Sequence, residues 1–446
     1  MNFDYDIAII GSGPAGQRAA VQSAKLGKKV IVIEKELIGG SCLHHGTIPS
    51  KTLREAVLLE NKKKSNFLAQ VMKRKRAVVD GEVSVIQDQL KRNKVKFSEG
   101  AASFTSPTEL SILQANGRKK KISAKHIVIA TGTRPRRPDN IPFSKNVIME
   151  SDSVLDLKKS PRSICILGAG VIGCEYASIF LEMGVKVTLV DRRLDLLRGI
   201  DREIVEALSK DFQSKGLKLL LGVDYKDIKK EKAGASILLD DKRTKFETIL
   251  FCMGRVGNTE ELKLENARVE CNERGLINVN AQFQSSCPNI YAVGDIIGTP
   301  SLAASAYEQG RLAACHAFEG GSIEFPKLFP YGIYTIPEIS SVGAEESQLL
   351  ESKIPFVIGR AKYKELARGK ILGDEFGFVK LLFHKETQEI LGAHIIGTHA
   401  TELIHIGQMA IQFKAKVEQF TAMVFNYPTL AEAYKVACLN AYNQMR

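Results

Sequence analysis

One pattern is written twice in this chain, and it constrains the fold more than any other feature. Residues 6–16 read DIAIIGSGPAG and residues 163–173 read SICILGAGVIG. Each is an apolar run closing in Gly-x-Gly-x-x-Gly, at Gly11, Gly13 and Gly16 in the first copy and at Gly168, Gly170 and Gly173 in the second. Each is followed by a helix-compatible segment, another glycine (Gly27, Gly184) and a second apolar run. That run ends in an acid 18 residues after the third glycine in both copies: Glu34, followed by Lys35, and Asp191. The first glycine permits a tight strand-to-helix turn, the second lets backbone approach a diphosphate, and the third lets helix and strand pack closely. The helix N-terminus then holds the anion, and the acid accepts hydrogen bonds from a ribose diol. A single such motif is weak evidence. Two copies, each inside strand–helix–strand with the acid in register, predict two dinucleotide sites.

Two such sites in one chain point to a flavin and a nicotinamide nucleotide. Further contacts for the first are expected in IVIATG (127–132), a buried strand ending at Thr131 and Gly132, and in NIYAVGD (289–295), ending at Gly294 and Asp295. Asp295 has two readings, hydrogen bonding to a cofactor chain or capping a helix. At about 150 residues per domain, 446 residues predict roughly three domains. We expect an α/β fold with two Rossmann-like dinucleotide-binding domains and a C-terminal α+β domain. The expected bounds are 1–150 for the flavin domain, 151–270 for the NAD(P) domain, 271–325 for a return to the first, and 326–446 for the last. In that last segment, 378–396 reads as a hairpin around HKETQE, and 400–413 as an amphipathic helix.

Composition narrows the function classes. Lys and Arg exceed Asp and Glu, giving a formal net charge of +13, concentrated in Lys62–Lys64, Lys73–Arg76 and Arg118–Lys121. Without interleaved aromatics these runs read as solvated faces, not as a nucleic-acid surface, and a positive field attracts anionic dinucleotides. The eight cysteines show no zinc-like spacing and the histidines do not cluster, so no metal site is expected. No signal-like start and no apolar run of membrane-spanning length is present, so neither secretion nor a membrane is expected and the cytoplasm is the expected compartment.

The motifs GSGPAG, GGSCLHHGTIPSK, ATGTRP, GAGVIGCEYAS, YAVGD and IYTIPEISSVG together span the chain. They resemble the two-dinucleotide flavoproteins that include dihydrolipoamide dehydrogenase and glutathione reductase. That resemblance implies FAD, a homodimer or higher homo-oligomer, and an interface domain at the C-terminus. It also implies cofactor contacts from Gly39, Gly40, Ser41, Cys42 and Thr47. Lys51 would lie beside flavin N5 with Glu175 as its carboxylate partner, the two forming the catalytic set, and Gly254 would belong to the segment over the nicotinamide nucleotide.

Two departures redirect the expected chemistry. Disulfide reductases of this family carry two cysteines before Ile-Pro-Ser-Lys; here Cys42 is present and the second position is Thr47. They also carry a His before Pro near the C-terminus; here Tyr427 precedes Pro428, although Glu432 remains. Loss of both parts of the thiol apparatus suggests another electron acceptor. The combination is similar to the soluble pyridine nucleotide transhydrogenases, which implies hydride transfer between NADP(H) and NAD(H) through bound FAD. The alternatives are a dihydrolipoamide dehydrogenase-like disulfide reductase and an NAD(P)H oxidase or diaphorase. Asp191 favours NAD, and Arg192 and Arg193 can bind the 2′-phosphate of NADP; an acid with two arginines suggests tolerance of both cofactors, the alternative being that the arginines point to solvent and the site selects NAD. Cys42 sits either at a helix start that lowers its pKa or as an inert packing residue. His44 and His45 lie near the same place, His405 reads as a satisfied structural histidine, and Tyr427 either covers the flavin of a partner chain or fills space.

Overall fold

The computed structural model describes residues 2–59, 67–320 and 324–445; the basic run Lys62–Lys64 lies outside the described residues. The chain divides into two compact units, described in turn. The first comprises Met1–Asn146, Glu150–Lys159 and Met253–Phe325; the second comprises Val147–Met149, Ser160–Cys252 and Pro326–Arg446.

In the first unit, Tyr5–Ile10 pairs in parallel with Val30–Glu34 on one side and with Lys119–Ile129 on the other. Lys96–Glu99 extends this sheet beyond Val30–Glu34, and Ile290–Ala292 pairs in parallel with Ile127–Ile129. The first half of Lys119–Ile129 pairs antiparallel with Glu109–Leu113. Side chains alternate across a strand, so one run feeds two cores. Ile7, Ile9, Val32 and Val128 pack with Ala15, Ala19 and Ala20 of helix Pro14–Lys25, while Ala8, Ile10, Ile31 and Ile127 pack on the opposite face. This double cover explains why these strands read as unbroken apolar runs. Helix Ala303–Glu319 lies against helix Pro14–Lys25 so closely that a Cβ on Gly310 would sit 2.1 Å from the Ala15 carbonyl oxygen. Strand Arg255–Gly257 pairs with Thr133–Pro135 and therefore belongs to this unit.

The second unit repeats the strand–helix–strand arrangement. Ser163–Leu167 pairs in parallel with Lys186–Asp191 and with Thr248–Phe251; Lys218–Leu221 and Ile148–Glu150 flank them. A five-stranded antiparallel sheet follows in the order Tyr331–Ile333, Ile339–Gly343, Ile390–Ile396, Phe378–His384, Phe356–Lys362. The expected hairpin is the pair Phe378–His384 and Ile390–Ile396, and the expected helix is Ala400–Gln412.

The two parts of this unit are joined by buried charge. Lys380, fully buried, places Nζ 2.9 Å from Asp201 Oδ2, 2.6 Å from Glu346 Oε2 and 3.2 Å from Glu203 Oε2. Asp201 also caps helix Arg202–Ser214, its Oδ1 accepting the Glu203 amide at 3.1 Å. Arg360 forks onto Glu203 at 2.8–3.1 Å.

His394, also fully buried, pairs Nε2 with the Ala344 carbonyl at 2.9 Å, so Nε2 carries the proton, and Nδ1 has no partner. Burial pushes its pKa below the ordinary 6.5. A proton added on acidification would go to a buried atom with no acceptor, so the native state takes it up later than the unfolded chain. The stability of this unit is therefore expected to fall as pH drops below about 6.5 through the depressed native value. Urea unfolding followed between about pH 8 and about pH 5 checks this. His394→Gln should flatten this acid slope.

No helix among the described residues is long and apolar enough to cross a membrane, and no group of three or more His, Cys, Asp or Glu among them is placed to hold a metal ion. Lys73, Arg74 and Arg76 lie exposed on helix Phe67–Arg92, and Arg118–Lys121 are exposed beside a hairpin turn.

Candidate active site

Both fingerprints adopt the turn their glycines predict. Gly13 and Gly170 are the N-caps of helices Pro14–Lys25 and Val171–Glu182. A Cβ on Gly16 would lie 2.0 Å from the Gly11 carbonyl oxygen, and one on Gly173 would lie 1.8 Å from that of Gly168. A Cβ on Gly13 or Gly170 would meet nothing within 4 Å, so open space faces the helix N-terminus where a diphosphate would approach.

In the first unit, Glu34 is buried at the end of its strand. Its Oε2 accepts the Ser12 amide at 2.9 Å and the Ser12 hydroxyl at 2.6 Å; its Oε1 accepts the Glu36 amide at 3.0 Å. A carboxylate offers about four lone-pair positions, so these three donors leave Oε1 one acceptor place. Lys35 is exposed and pairs with Glu261 at 2.7 Å. The Gly39 amide donates to Ser12 Oγ at 3.0 Å, and a Cβ on Gly40 would lie 3.0 Å from Gly13 Cα, so the Gly-Gly segment is laid on the fingerprint turn. Ser41 and Cys42 follow in the short helix Gly40–His44, and Thr47 opens helix Thr47–Leu59, which carries Lys51.

The Cys42 thiol lies within electrostatic reach of Thr47, Lys51 and Asp295. Burial pushes its pKa up and the Asp295 carboxylate adds to the rise, while Thr47 and Lys51 offset part of it. Of the two readings of Cys42, the one with a pKa lowered at a helix start is disfavoured, because desolvation of the thiolate outweighs the short helix. All eight cysteines are free. His44 is tied through Nε2 to the Ile38 carbonyl at 2.8 Å.

Thr131 and Gly132 follow strand Lys119–Ile129. The Thr131 hydroxyl is buried without a partner, and a Cβ on Gly132 would meet open space. Gly294 and Asp295 open a 3₁₀ turn, Gly294–Ile297, whose N-cap is Val293, not Asp295. Burial pushes the Asp295 carboxyl up, with Arg255 and Thr133 acting against it. Arg255 in turn donates to the Thr133 hydroxyl at 2.8 Å and carbonyl at 2.7 Å. An open cradle, an orphaned hydroxyl and an acid with one unused acceptor position fit a ribose-bearing dinucleotide such as FAD. Gly254, also in this unit, has a φ of 92° and accepts the Arg136 amide at 3.1 Å.

In the second unit, Asp191 is buried and fully engaged. Its Oδ1 accepts the Arg193 amide at 2.9 Å and Arg193 Nε at 3.0 Å; its Oδ2 accepts the Ala169 amide at 2.7 Å and Arg193 Nη2 at 2.7 Å. Arg192 pairs with Asp224 at 2.5 Å and stacks on the Tyr225 ring at 4.7 Å. Glu175, buried in helix Val171–Glu182, accepts the Tyr334 amide at 2.9 Å. His405 pairs with Gln408 at 2.8 Å. Tyr427 is 75% exposed, in a stretch where Val424 is 93% exposed.

The sequence profile of the pyridine nucleotide-disulphide oxidoreductases matches residues 5–310, and the profile of their dimerisation domain matches residues 329–438. The chain belongs to the pyridine nucleotide-disulphide oxidoreductase family. Membership implies FAD and nicotinamide nucleotides as its cofactors and a dimerisation domain that includes Val424 and Tyr427. The chain is 44% identical to the soluble pyridine nucleotide transhydrogenase of Mycobacterium tuberculosis, over 99% of this chain and 98% of that one. It is 42% identical to the protein of the same name from Pseudomonas putida, over 99% of each. Among solved structures, RclA from Escherichia coli, described as an HOCl-induced flavoprotein disulfide reductase, superposes with a TM-score of 0.91 at 26% identity, over 98% of this chain and 99% of that one. LpdA from Mycobacterium tuberculosis gives 0.90 at 26% identity, over 97% and 98%.

Several groups at these sites carry no motif. Ser12 ties Glu34 to Gly39, and Gln309 Oε1 accepts the Gly294 amide at 2.7 Å. Asp224 and Tyr225 hold Arg192. Only Ser12 had a local signal, its place between two fingerprint glycines.

Proposed function

We propose that this chain is an FAD-dependent pyridine nucleotide transhydrogenase of the cytoplasm, acting as a homodimer: NADPH + NAD⁺ gives NADP⁺ + NADH, reversibly. The observation that carries the reading is the Cys42–Thr47 pair. Where the disulfide reductases hold a second thiol this chain holds a hydroxyl, and burial keeps the remaining thiol protonated. A hydroxyl forms no disulfide, so electrons have no thiol exit and return to a nicotinamide. The names of the relatives support the same assignment.

FAD, when bound, supplies a two-electron store that exchanges hydride with a nicotinamide ring. The chain's residues supply position and charge. We assign Gly11, Gly13, Gly16 and Glu34 to the diphosphate and ribose of FAD, with Gly39, Gly40, Ser41, Thr131, Gly132, Gly294 and Asp295 around it. Lys51 would supply a cation where negative charge develops on reduction, and Glu175 is assigned with it to the catalytic set. Gly168, Gly170, Gly173 and Asp191–Arg193 receive the nicotinamide nucleotides. Placing donor and acceptor rings about 3–3.5 Å apart is the main catalytic task.

The test is anaerobic turnover of NADPH with thio-NAD⁺ on purified FAD-loaded protein. Parallel-line ping-pong kinetics without added thiol or disulfide are expected. Flavin that NADPH reduces but thio-NAD⁺ does not reoxidise would overturn the assignment and leave lipoamide or oxygen as the acceptor.

A further inference from the structure

The acids that end the two fingerprint strands look equivalent in sequence and are not equivalent in the structure. Glu34 receives three donors and keeps an acceptor place. Asp191 receives four, two of them from the Arg193 guanidinium, and its side chain is 2% exposed. A carboxylate has about four lone-pair positions, so Asp191 as held has none for a ribose hydroxyl. The fork also neutralises its charge, and together these contacts hold the Asp191 carboxyl below the usual range although burial acts the other way.

We infer that Arg193, by masking Asp191, is the residue that lets one site take both nucleotides, an inference that rests on the reading above. With the fork closed, the charge that would repel a 2′-phosphate is cancelled. Arg192 then offers a guanidinium already fixed by Asp224 at 2.5 Å, by the Tyr225 ring at 4.7 Å and by the Tyr225 carbonyl at 3.3 Å. With the fork open, Arg193 Nε and Nη2 withdraw and Asp191 gains two acceptor places for a 2′-hydroxyl. Arg193 is 47% exposed, so it has room to swing outward. NAD therefore binds against the cost of opening the fork, and NADP binds without it.

This differs from the usual reading, in which the acid itself selects NAD. If Asp191 were already available to the ribose, Asp191→Asn would weaken NAD binding. Because NAD must open the fork to reach Asp191, Asp191→Asn loses the charged acceptor and the cost of opening together, and leaves NAD binding close to that of the unsubstituted protein. Arg193→Met exposes the bare acid; it should tighten the NAD side and weaken the NADP side, each by roughly tenfold, the equivalent of one hydrogen bond to a charged group.

The experiment uses FAD-loaded protein and two readouts. Calorimetric titration with 5′-AMP and with adenosine 2′,5′-bisphosphate reads the 2′ position without any hydride chemistry. Anaerobic reduction of the flavin by NADH and by NADPH, each alone, reads it in the intact nucleotides. Neither needs transfer between nicotinamide pools, so the inference can stand or fall separately from the transhydrogenase assignment. The expected result is opposite shifts for the two ligands in Arg193→Met, with Arg193→Lys, which cannot fork, shifted in the same sense. Equal weakening of both ligands in Arg193→Met and Arg193→Lys, no change in either, or a tenfold loss of 5′-AMP binding in Asp191→Asn would overturn it.

Discussion

Lys380→Met is expected to destabilise the second unit by about 3–5 kcal/mol, the usual cost of removing one partner from a buried ion pair. The substitution keeps the length of the side chain and removes its charge. Asp201, 1% exposed, then stays buried beside Glu203 and Glu346 with no cation on it except through Arg360 on Glu203. Urea unfolding should show a lower midpoint at unchanged slope. The pair Lys380→Met with Asp201→Asn should recover a good part of the loss, because Asn still caps helix Arg202–Ser214 and no carboxylate is stranded beneath it. Additive losses in the double variant would show that Lys380 acts through packing alone. The pH dependence follows from two shifts. Burial would lower the Lys380 pKa, but Glu346, Asp201 and Glu203 outweigh it and raise it above 10.5. Burial would raise that of Glu203, but Arg360 and Lys380 outweigh it and lower it below 4.5. The Lys380 contribution is complete below the unfolded value and is lost as pH rises through the raised native one. The Glu203 contribution is complete above its unfolded value and is lost as pH falls through the depressed native one. The cluster's contribution should therefore be level through neutrality.

Gly173→Ala is expected to slow reduction of the bound flavin by NADPH about 100-fold, since a displacement near 1 Å at a positioning element costs that much. The new Cβ would fall 1.8 Å from the Gly168 carbonyl oxygen, backbone that cannot move without moving the turn. Helix Val171–Glu182 must retreat, and its N-terminal donors retreat with it. Gly16→Ala does the same at 2.0 Å from the Gly11 oxygen, and its expected effect is protein purified with little FAD. The two variants separate the sites. Gly173→Ala should keep the flavin absorbance and lose the rapid bleaching by NADPH, whereas Gly16→Ala should lose the absorbance itself. A Gly173→Ala protein that is reduced at the normal rate would remove this turn from the nucleotide site.

Local spacing made much of this legible. Three glycines and an acid at a fixed interval specify a turn, a helix start and a strand end through contacts made within about 30 residues. The hairpin at 378–396 was readable for the same reason, its turn residues lying between two apolar runs. What spacing does not carry is the partner of a buried polar group. Lys380 reads as one polar residue in an apolar strand, and Asp201 lies 179 positions away. Gly310 reads as an ordinary helix residue, and only the approach of Ala15 explains it. Asp191 and Glu34 share a motif position, and their difference lies in an arginine whose direction no periodicity encodes. At Cys42 the sequence left two readings open, a thiol activated at a helix start and an inert packing residue, and burial, a property of the whole unit, raises the pKa and so works against the first.

The strand Ile290–Ala292, which pairs with Ile127–Ile129 in the first unit, has a consequence for synthesis. A ribosome delivers Ile129 long before Ile290, at about 5–20 residues per second, so on the order of ten seconds separate the two. Throughout that interval one apolar edge of the first sheet lies open, and Ala15 waits for the helix that carries Gly310. Ser160–Cys252 emerges in the meantime, and all five strands of its sheet, Ile148–Glu150 included, precede Ile290 in the chain. The nascent chain therefore completes its second fingerprint before its first, and the open edge is where a holding chaperone would find its hold.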